Sequence, residues 1–234
     1  MVTDIRKNIA AVREKIAAAA ASAGRDPSEV RLMGVTKYHP VEMMAEAAPY
    51  LDLIGENKVQ EAAEKRGLWP CGAASCPWHL IGHLQRNKVR RALESFDLVE
   101  SIDAPQTAAA MERLLREKGA RRFPVFIEVN MSREAAKHGV APEEAERLLD
   151  NIMKEAPSLS VEGLMTVAAD SDDERLLRET FAGLRELRER LRRASGLPLP
   201  ELSMGMSGDF VTAVEEGSTI VRVGSAIFGP RIYN

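Results

Sequence analysis

The chain has 234 residues, 45% of them hydrophobic, with 32 Lys plus Arg against 35 Asp plus Glu and a formal net charge of −3. That length can bury a sizeable core, and one unit over residues 1–234 is expected. The near-balanced charge supplies no basic field for nucleic acid or an anionic membrane, and no apolar stretch approaches the roughly 20 residues that span a bilayer, so neither partner is expected and a cytoplasmic location is.

Ile5, Ile9, Val12 and Ile16 recur at helical spacing ahead of an alanine-rich run, and Gly24 with Pro27 stops that first helix. Strand and helix signals then alternate. Strand-like runs cover residues 30–36, 51–55, 78–82, 98–102, 124–130, 159–167, 199–204 and 218–228. Helical patterns lie between them at 41–48, 59–65, 87–93, 106–118, 142–155, 173–194 and 210–216. The longest of these places Leu177, Phe181, Leu184, Leu187 and Leu191 on one stripe suited to packing on a sheet. Eight such units predict an α/β fold: a parallel sheet closed into a TIM-type (β/α)₈ barrel, with an extra N-terminal helix. An open doubly wound sheet is the competing topology, disfavoured because no Gly-x-Gly-x-x-Gly turn follows the first strand.

The only cysteines, Cys71 and Cys76, have no second pair and no His-x₃₋₅-His downstream, so they read as reduced surface-loop thiols and no metal is expected. Two small-residue turns carry more information. Ser203-Met204-Gly205-Met206-Ser207-Gly208-Asp209 and Val221-Arg222-Val223-Gly224-Ser225 each follow a strand-like run, which sets Ser207, Gly208, Gly224 and Ser225 at strand C-terminal ends with N–H groups open to an anion. In a barrel the loops after strands seven and eight are the customary phosphate position.

Lys37, at the end of the first strand, points into the mouth of such a barrel, where a partly desolvated amine can attack an aldehyde. Taken alone it is more often a solvated surface lysine. A ligand carrying both a phosphate and an aldehyde satisfies both ends, and pyridoxal phosphate is one. Arg222 alternates with Val221 and Val223 and so faces the barrel interior, where either a carboxylate such as Glu56 or Glu128, or a pyridine nitrogen, could accept its hydrogen bonds. His79 beside Trp78 reads as a core histidine bonded to a backbone carbonyl; His39 and His138 read as solvated loop residues, and Met204 and Met206 as core filler.

Together these segments resemble the pyridoxal-phosphate homeostasis proteins, the alanine racemase N-terminal-like or proline synthetase co-transcribed family. The resemblance runs nearly end to end through Val35-Thr36-Lys37, Gly55-Glu56-Asn57, Trp78-His79-Leu80-Ile81-Gly82, Ser101-Ile102-Asp103, Lys137-His138-Gly139, Gly163-Leu164-Met165, Met204-Gly205-Met206-Ser207 and Arg222-Val223-Gly224. It implies the barrel of the alanine racemase N-terminal domain, pyridoxal 5'-phosphate as cofactor, and Lys37 as the Schiff-base lysine. It also implies that Ser207, Gly224 and Ser225 hold the phosphate, that Arg222 faces the pyridine nitrogen, and that Asn57, His79 and Met204 lie near the ring. Three residues depart from the family pattern: Lys58 stands where relatives carry an aromatic residue, and His83 and Arg86 replace a proline and a serine.

Three function classes compete: a protein that binds and delivers the cofactor, a cofactor-dependent racemase, and a barrel enzyme acting on another phosphorylated metabolite. The third leaves Lys37 unexplained. Racemization needs a base on each cofactor face, and beside Lys37 none of Tyr38, Tyr50 and Tyr233 has a supporting motif. The expectation is a cofactor carrier or buffer in pyridoxal phosphate homeostasis, not an enzyme, with a weak amino-acid racemase as the alternative. The resemblance further implies a monomer that serves pyridoxal-phosphate-dependent apoenzymes.

Overall fold

The computed structural model describes residues 4–119 and 122–229. Helix α1 (Ile5–Ser22) begins where the Asp4 carboxylate accepts the Lys7 N–H, and buries the Ile5, Ile9, Val12 and Ile16 stripe. There follow β1 (Arg31–Val35), α2 (Val41–Ala47), β2 (Leu53–Glu56), α3 (Val59–Gly67), β3 (Trp78–Leu80), α4 (Val89–Ser95), β4 (Leu98–Ile102) and α5 (Pro105–Glu117). The second half holds β5 (Phe123–Glu128), α6 (Ala145–Glu155), β6 (Leu159–Met165), α7 (Glu174–Ser195), β7 (Glu201–Ser203), α8 (Phe210–Glu215), β8 (Ile220–Val223) and α9 (Ser225–Phe228).

The eight strands pair in sequence order, all parallel, and β8 pairs back onto β1 through Met33 opposite Arg222, closing the barrel. Alternation along each strand sorts its residues into two cores. Met33, Leu53, Leu98, Phe126, Met165 and Ile220 fill the inside, while a larger cluster lies between strands and helices. A register shift between Val99 and Ile102 breaks the alternation, so Ile102 joins the outer cluster although Leu98 belongs to the inner one.

Helix α7 shows how sequence sets these boundaries. The Asp173 carboxylate caps its first turn through the N–H groups of Arg175 and Leu176, and Gly196 ends it in the left-handed conformation at φ 73°. Its apolar stripe is buried as expected, each side chain contributing about 1.5–3 kcal/mol of transfer free energy. The eighth strand is shorter than the sequence indicates: pairing stops at Val223, and Ile227 and Phe228 belong to the single turn α9, whose N–H groups return to Gly224 O. A short apolar run does not itself distinguish a strand from a buried helical turn. Because α9 is so short, α1 packs against α8, α9 and α2 and supplies the long helix over the β8–β1 seam, with Asn8 Nδ2 donating to Ile227 O at 2.9 Å.

Candidate functional site

Strand alternation brings Val35 and Lys37, Asn57, Ile81, Val167, Arg222 and Gly224 to the C-terminal mouth of the barrel, where they line a cavity of about 370 Å³ together with His39, Met206, Ser207, Gly208, Ser225 and Gly229. Six residues expected at a cofactor site therefore share one cavity: Lys37, Asn57, Ser207, Arg222, Gly224 and Ser225. His79 and Met204 do not line it. Met204 is fully buried in the outer cluster, since Ser203 takes the inward position, and Met206 reaches the cavity instead.

Lys37 is held by its neighbours. Thr36 Oγ1 donates to Glu56 Oε1 at 2.7 Å, Thr36 O accepts from Lys65 Nζ at 2.8 Å, and the Tyr38 N–H donates to Glu61 Oε1 at 2.7 Å. Lys65 also ion-pairs with both Glu56 and Glu61 at 2.7 Å, so a charged knot on α3 fixes the backbone on either side of Lys37. Tyr38 completes the turn at φ 65°, a left-handed conformation uncommon for a non-glycine residue and sustained here by that bond from its own N–H. Glu56 thus points out toward α3 and is no partner for Arg222; burial raises its pKa, and Lys65 is the chief influence holding it down. His39 is buried against the cavity wall and lies on the Phe228 ring at 5.0 Å, not out in solvent.

Lining the same cavity, the Ser207 hydroxyl accepts from the Gly224 and Ala226 N–H groups at 3.2 and 3.4 Å. The Ser207 hydroxyl thus ties the turn after β7 to the first turn of α9 at the cavity edge. The β7 turn is tied to β8 by the Arg222 N–H bonded to Gly205 O at 2.9 Å.

Below the cavity runs a buried polar chain. Arg222 donates through Nη1 to Ser203 Oγ and through Nη2 to Thr166 O, both at 2.8 Å; Ser203 Oγ donates to Glu100 Oε2 at 2.5 Å, and Glu100 Oε1 meets His79 Nδ1 at 2.7 Å. His79 thus pairs with a carboxylate where a carbonyl was expected. Two bonds occupy two of the five guanidinium N–H groups. Burial lowers the Arg222 pKa while Glu100, Asp209 and Glu128 act against that shift. Glu128 shares the interior without a direct bond to Arg222; burial and then the Asp103 carboxylate push it up to about 7, and its Oε2 has no hydrogen-bond partner among the described residues. In the sequence Glu100 carries no expected role and Ser203 stands only at the head of a turn, although Glu100 follows Leu98 at the strand period and so shares its inward face.

Both cysteines are free, but Cys76 is buried and only Cys71 is exposed. His138 is an exposed loop residue, as expected, and its ring stacks on His83. Among the described residues no helix is long and apolar enough to cross a membrane.

A closed parallel (β/α)₈ barrel with Lys37 and the Ser207, Gly224 and Ser225 turns lining one cavity at its mouth agrees with the family match: residues 7–231 match the family described as the alanine racemase N-terminal domain. The relatives narrow this. The chain is 40% identical to a pyridoxal phosphate homeostasis protein of Bos taurus, over 96% of this chain and 86% of that protein, and 40% identical to one of Pseudomonas aeruginosa, over 99% and 98%. It superimposes with a TM-score of 0.79 on PipY of Synechococcus elongatus with pyridoxal phosphate (PLP) bound, at 33% identity, covering 92% of this chain and all of that one. The chain belongs to the pyridoxal phosphate homeostasis protein family.

Proposed function

We propose that this chain binds pyridoxal 5'-phosphate in the barrel-mouth cavity and keeps it as an exchangeable intracellular store. The observation that carries the reading is the grouping of Lys37, Arg222 and the Ser207–Gly224–Ser225 cradle around one space of about 370 Å³, within the usual range for a small-molecule site. When bound there, the cofactor supplies an aldehyde that a primary amine can hold covalently.

Each residue has a separate task. Lys37 presents the amine, and the Lys65 knot keeps it aimed into the cavity. The Gly224 and Ala226 N–H groups and the Ser207 and Ser225 hydroxyls hold the phosphate end. Asn57 would flank the ring, with Ile81 and Val167 as the apolar wall. Arg222, fixed by Ser203 and Thr166, would offer its remaining donors to the ring nitrogen of a bound cofactor; a guanidinium only donates, which would favour the unprotonated ring and weaken its help to carbanion chemistry. This supports storage over turnover, in a single cytoplasmic barrel domain that acts as a monomer and serves cofactor-dependent apoenzymes.

The test is reconstitution followed by borohydride reduction and peptide mass spectrometry. Visible absorbance that disappears on reduction, with the added mass on the Lys37 peptide, is expected; an adduct on another lysine, or none with excess cofactor, overturns the assignment. Incubation with L-alanine and chiral chromatography separates storage from the racemase alternative, which requires Lys37-dependent formation of the D-isomer at about 1 s⁻¹ or faster.

A further inference from the structure

Three successive loops each bring one metal-ligating side chain to the C-terminal mouth. His83 follows β3, Asp103 follows β4 and His138 lies between β5 and α6. Their ligand atoms all lie within 4.8 Å of one another, and none of the three residues lines the proposed cofactor cavity. His83 Nδ1 stands 3.4 Å from Asp103 Oδ2, and the two imidazoles stack with centroids 4.1 Å apart and planes inclined by 11°.

We propose that His83, Asp103 and His138 form a binding site for a divalent transition-metal ion of the zinc class. A tetrahedral ion with bonds of about 2.1 Å holds its donor atoms about 3.4 Å apart, so the His83–Asp103 pair already has coordination spacing. The other pairs close by at most about 1.4 Å, and because a ligating nitrogen aims its lone pair in the ring plane, binding turns one imidazole out of the stack, a rotation open to the two histidines because both are exposed. Two imidazole nitrogens and one carboxylate suit zinc, cobalt or nickel, whereas magnesium and calcium select oxygen donors. A three-residue set leaves a fourth position for water.

The loops are fastened independently of any ion. Ser101 Oγ donates to Gly82 O at 2.7 Å, joining the residue before His83 to the strand that leads to Asp103. On the third loop, Gly139 adopts φ 107°, Val140 exchanges N–H bonds with Glu128 O and Asn130, and Lys137 Nζ donates to Ala168 O at 2.6 Å. His138 is therefore held from both sides.

The test uses untagged full-length protein, freed of metal by chelation and then dialysed. Titration with Co²⁺ should give a saturable visible d–d band at one equivalent, Zn²⁺ should displace it, and a large excess of Mg²⁺ should not. His83→Ala, Asp103→Ala and His138→Ala should each weaken Zn²⁺ binding by calorimetry at least tenfold, with unchanged thermal melts. The double variant His83→Ala/His138→Ala should abolish the band, and Cys71→Ser should leave it intact. The remaining histidines, His39 and His79, are buried. No band in the parent, a band that survives the double variant, or any one of the three residues proving dispensable overturns the site.

Discussion

Replacing Lys65 with methionine keeps the stem of the side chain and removes a cation that meets both Glu56 and Glu61. The Glu56 side chain is fully buried, and it would keep only the Thr36 hydroxyl as a donor. Breaking a buried pair on one side costs about 3–5 kcal/mol. The carboxyl can escape part of that by taking up a proton in the folded state. Measured from its ordinary value of 4.5, doing so costs about 1.4 kcal/mol per pH unit, hence about 5 kcal/mol at pH 8 and about 1.4 kcal/mol at pH 5.5. The sign follows from burial: a raised folded pKa means the folded state holds the proton longer than the unfolded chain, so stability falls as pH rises above 4.5. Urea unfolding followed by circular dichroism should therefore show a loss of about 3–5 kcal/mol at pH 8 that shrinks to about 1–2 kcal/mol at pH 5.5. Adding Glu56→Gln should recover most of the loss at pH 8. Cofactor affinity should fall as well, because the clamps on Thr36 and Tyr38 loosen beside Lys37. Equal losses at both pH values, or no recovery in the double variant, would refute the buried-charge account.

At Gly224 an added Cβ meets Val35 O at 3.4 Å, an ordinary contact, so Gly224→Ala should fold normally yet bind cofactor about 10- to 100-fold more weakly by crowding the phosphate off a backbone donor; parent-like binding in a fluorescence titration counts against the cradle. Gly82→Ala is the contrasting case, its Cβ falling 2.2 Å from Asn57 O, and a thermal melt should show clear destabilisation with no cofactor present. Glu128→Gln should gain on the parent by about 3 kcal/mol between pH 4.5 and pH 8, since the parent's carboxyl, raised to about 7 by burial and Asp103, destabilises the fold as it ionises; a pH-independent difference would show that Glu128 titrates normally. Burial pushes the Cys76 thiol up to about 12, so iodoacetamide at pH 8 should label only Cys71 until urea is added, and native labelling of Cys76 would contradict its placement.

The barrel was legible because each of its eight units repeats the same change of period, and the phosphate turns because small residues there follow strand-like runs. What stayed hidden depends on groups far apart in the chain. Ser203 and Glu100 lie 103 positions apart, and nothing local in either segment announces their bond. Glu56 looked like an interior carboxylate until Lys65, nine residues on, drew it to the helix side. His39 was misplaced because the Phe228 ring that shelters it belongs to a turn whose apolar residues read as strand. The His83–His138 stack arises where the β3 loop and the segment after β5 meet at one rim, a proximity that only barrel closure creates.

The seam at which the barrel closes has a consequence for how the protein is made. Helix α1 and strand β1 leave the ribosome well before β8 and α9, the Asn8 to Ile227 bond spanning 219 positions and β1 finding its second neighbour only in β8. At about 5–20 residues per second, roughly 10–40 s pass before those partners exist. Throughout that interval the Ile5, Ile9, Val12 and Ile16 stripe and one open edge of β1 lack their cover. Helix α1 and the open edge of β1 are thus exposed to aggregation during synthesis until β8 and α9 emerge and cover them.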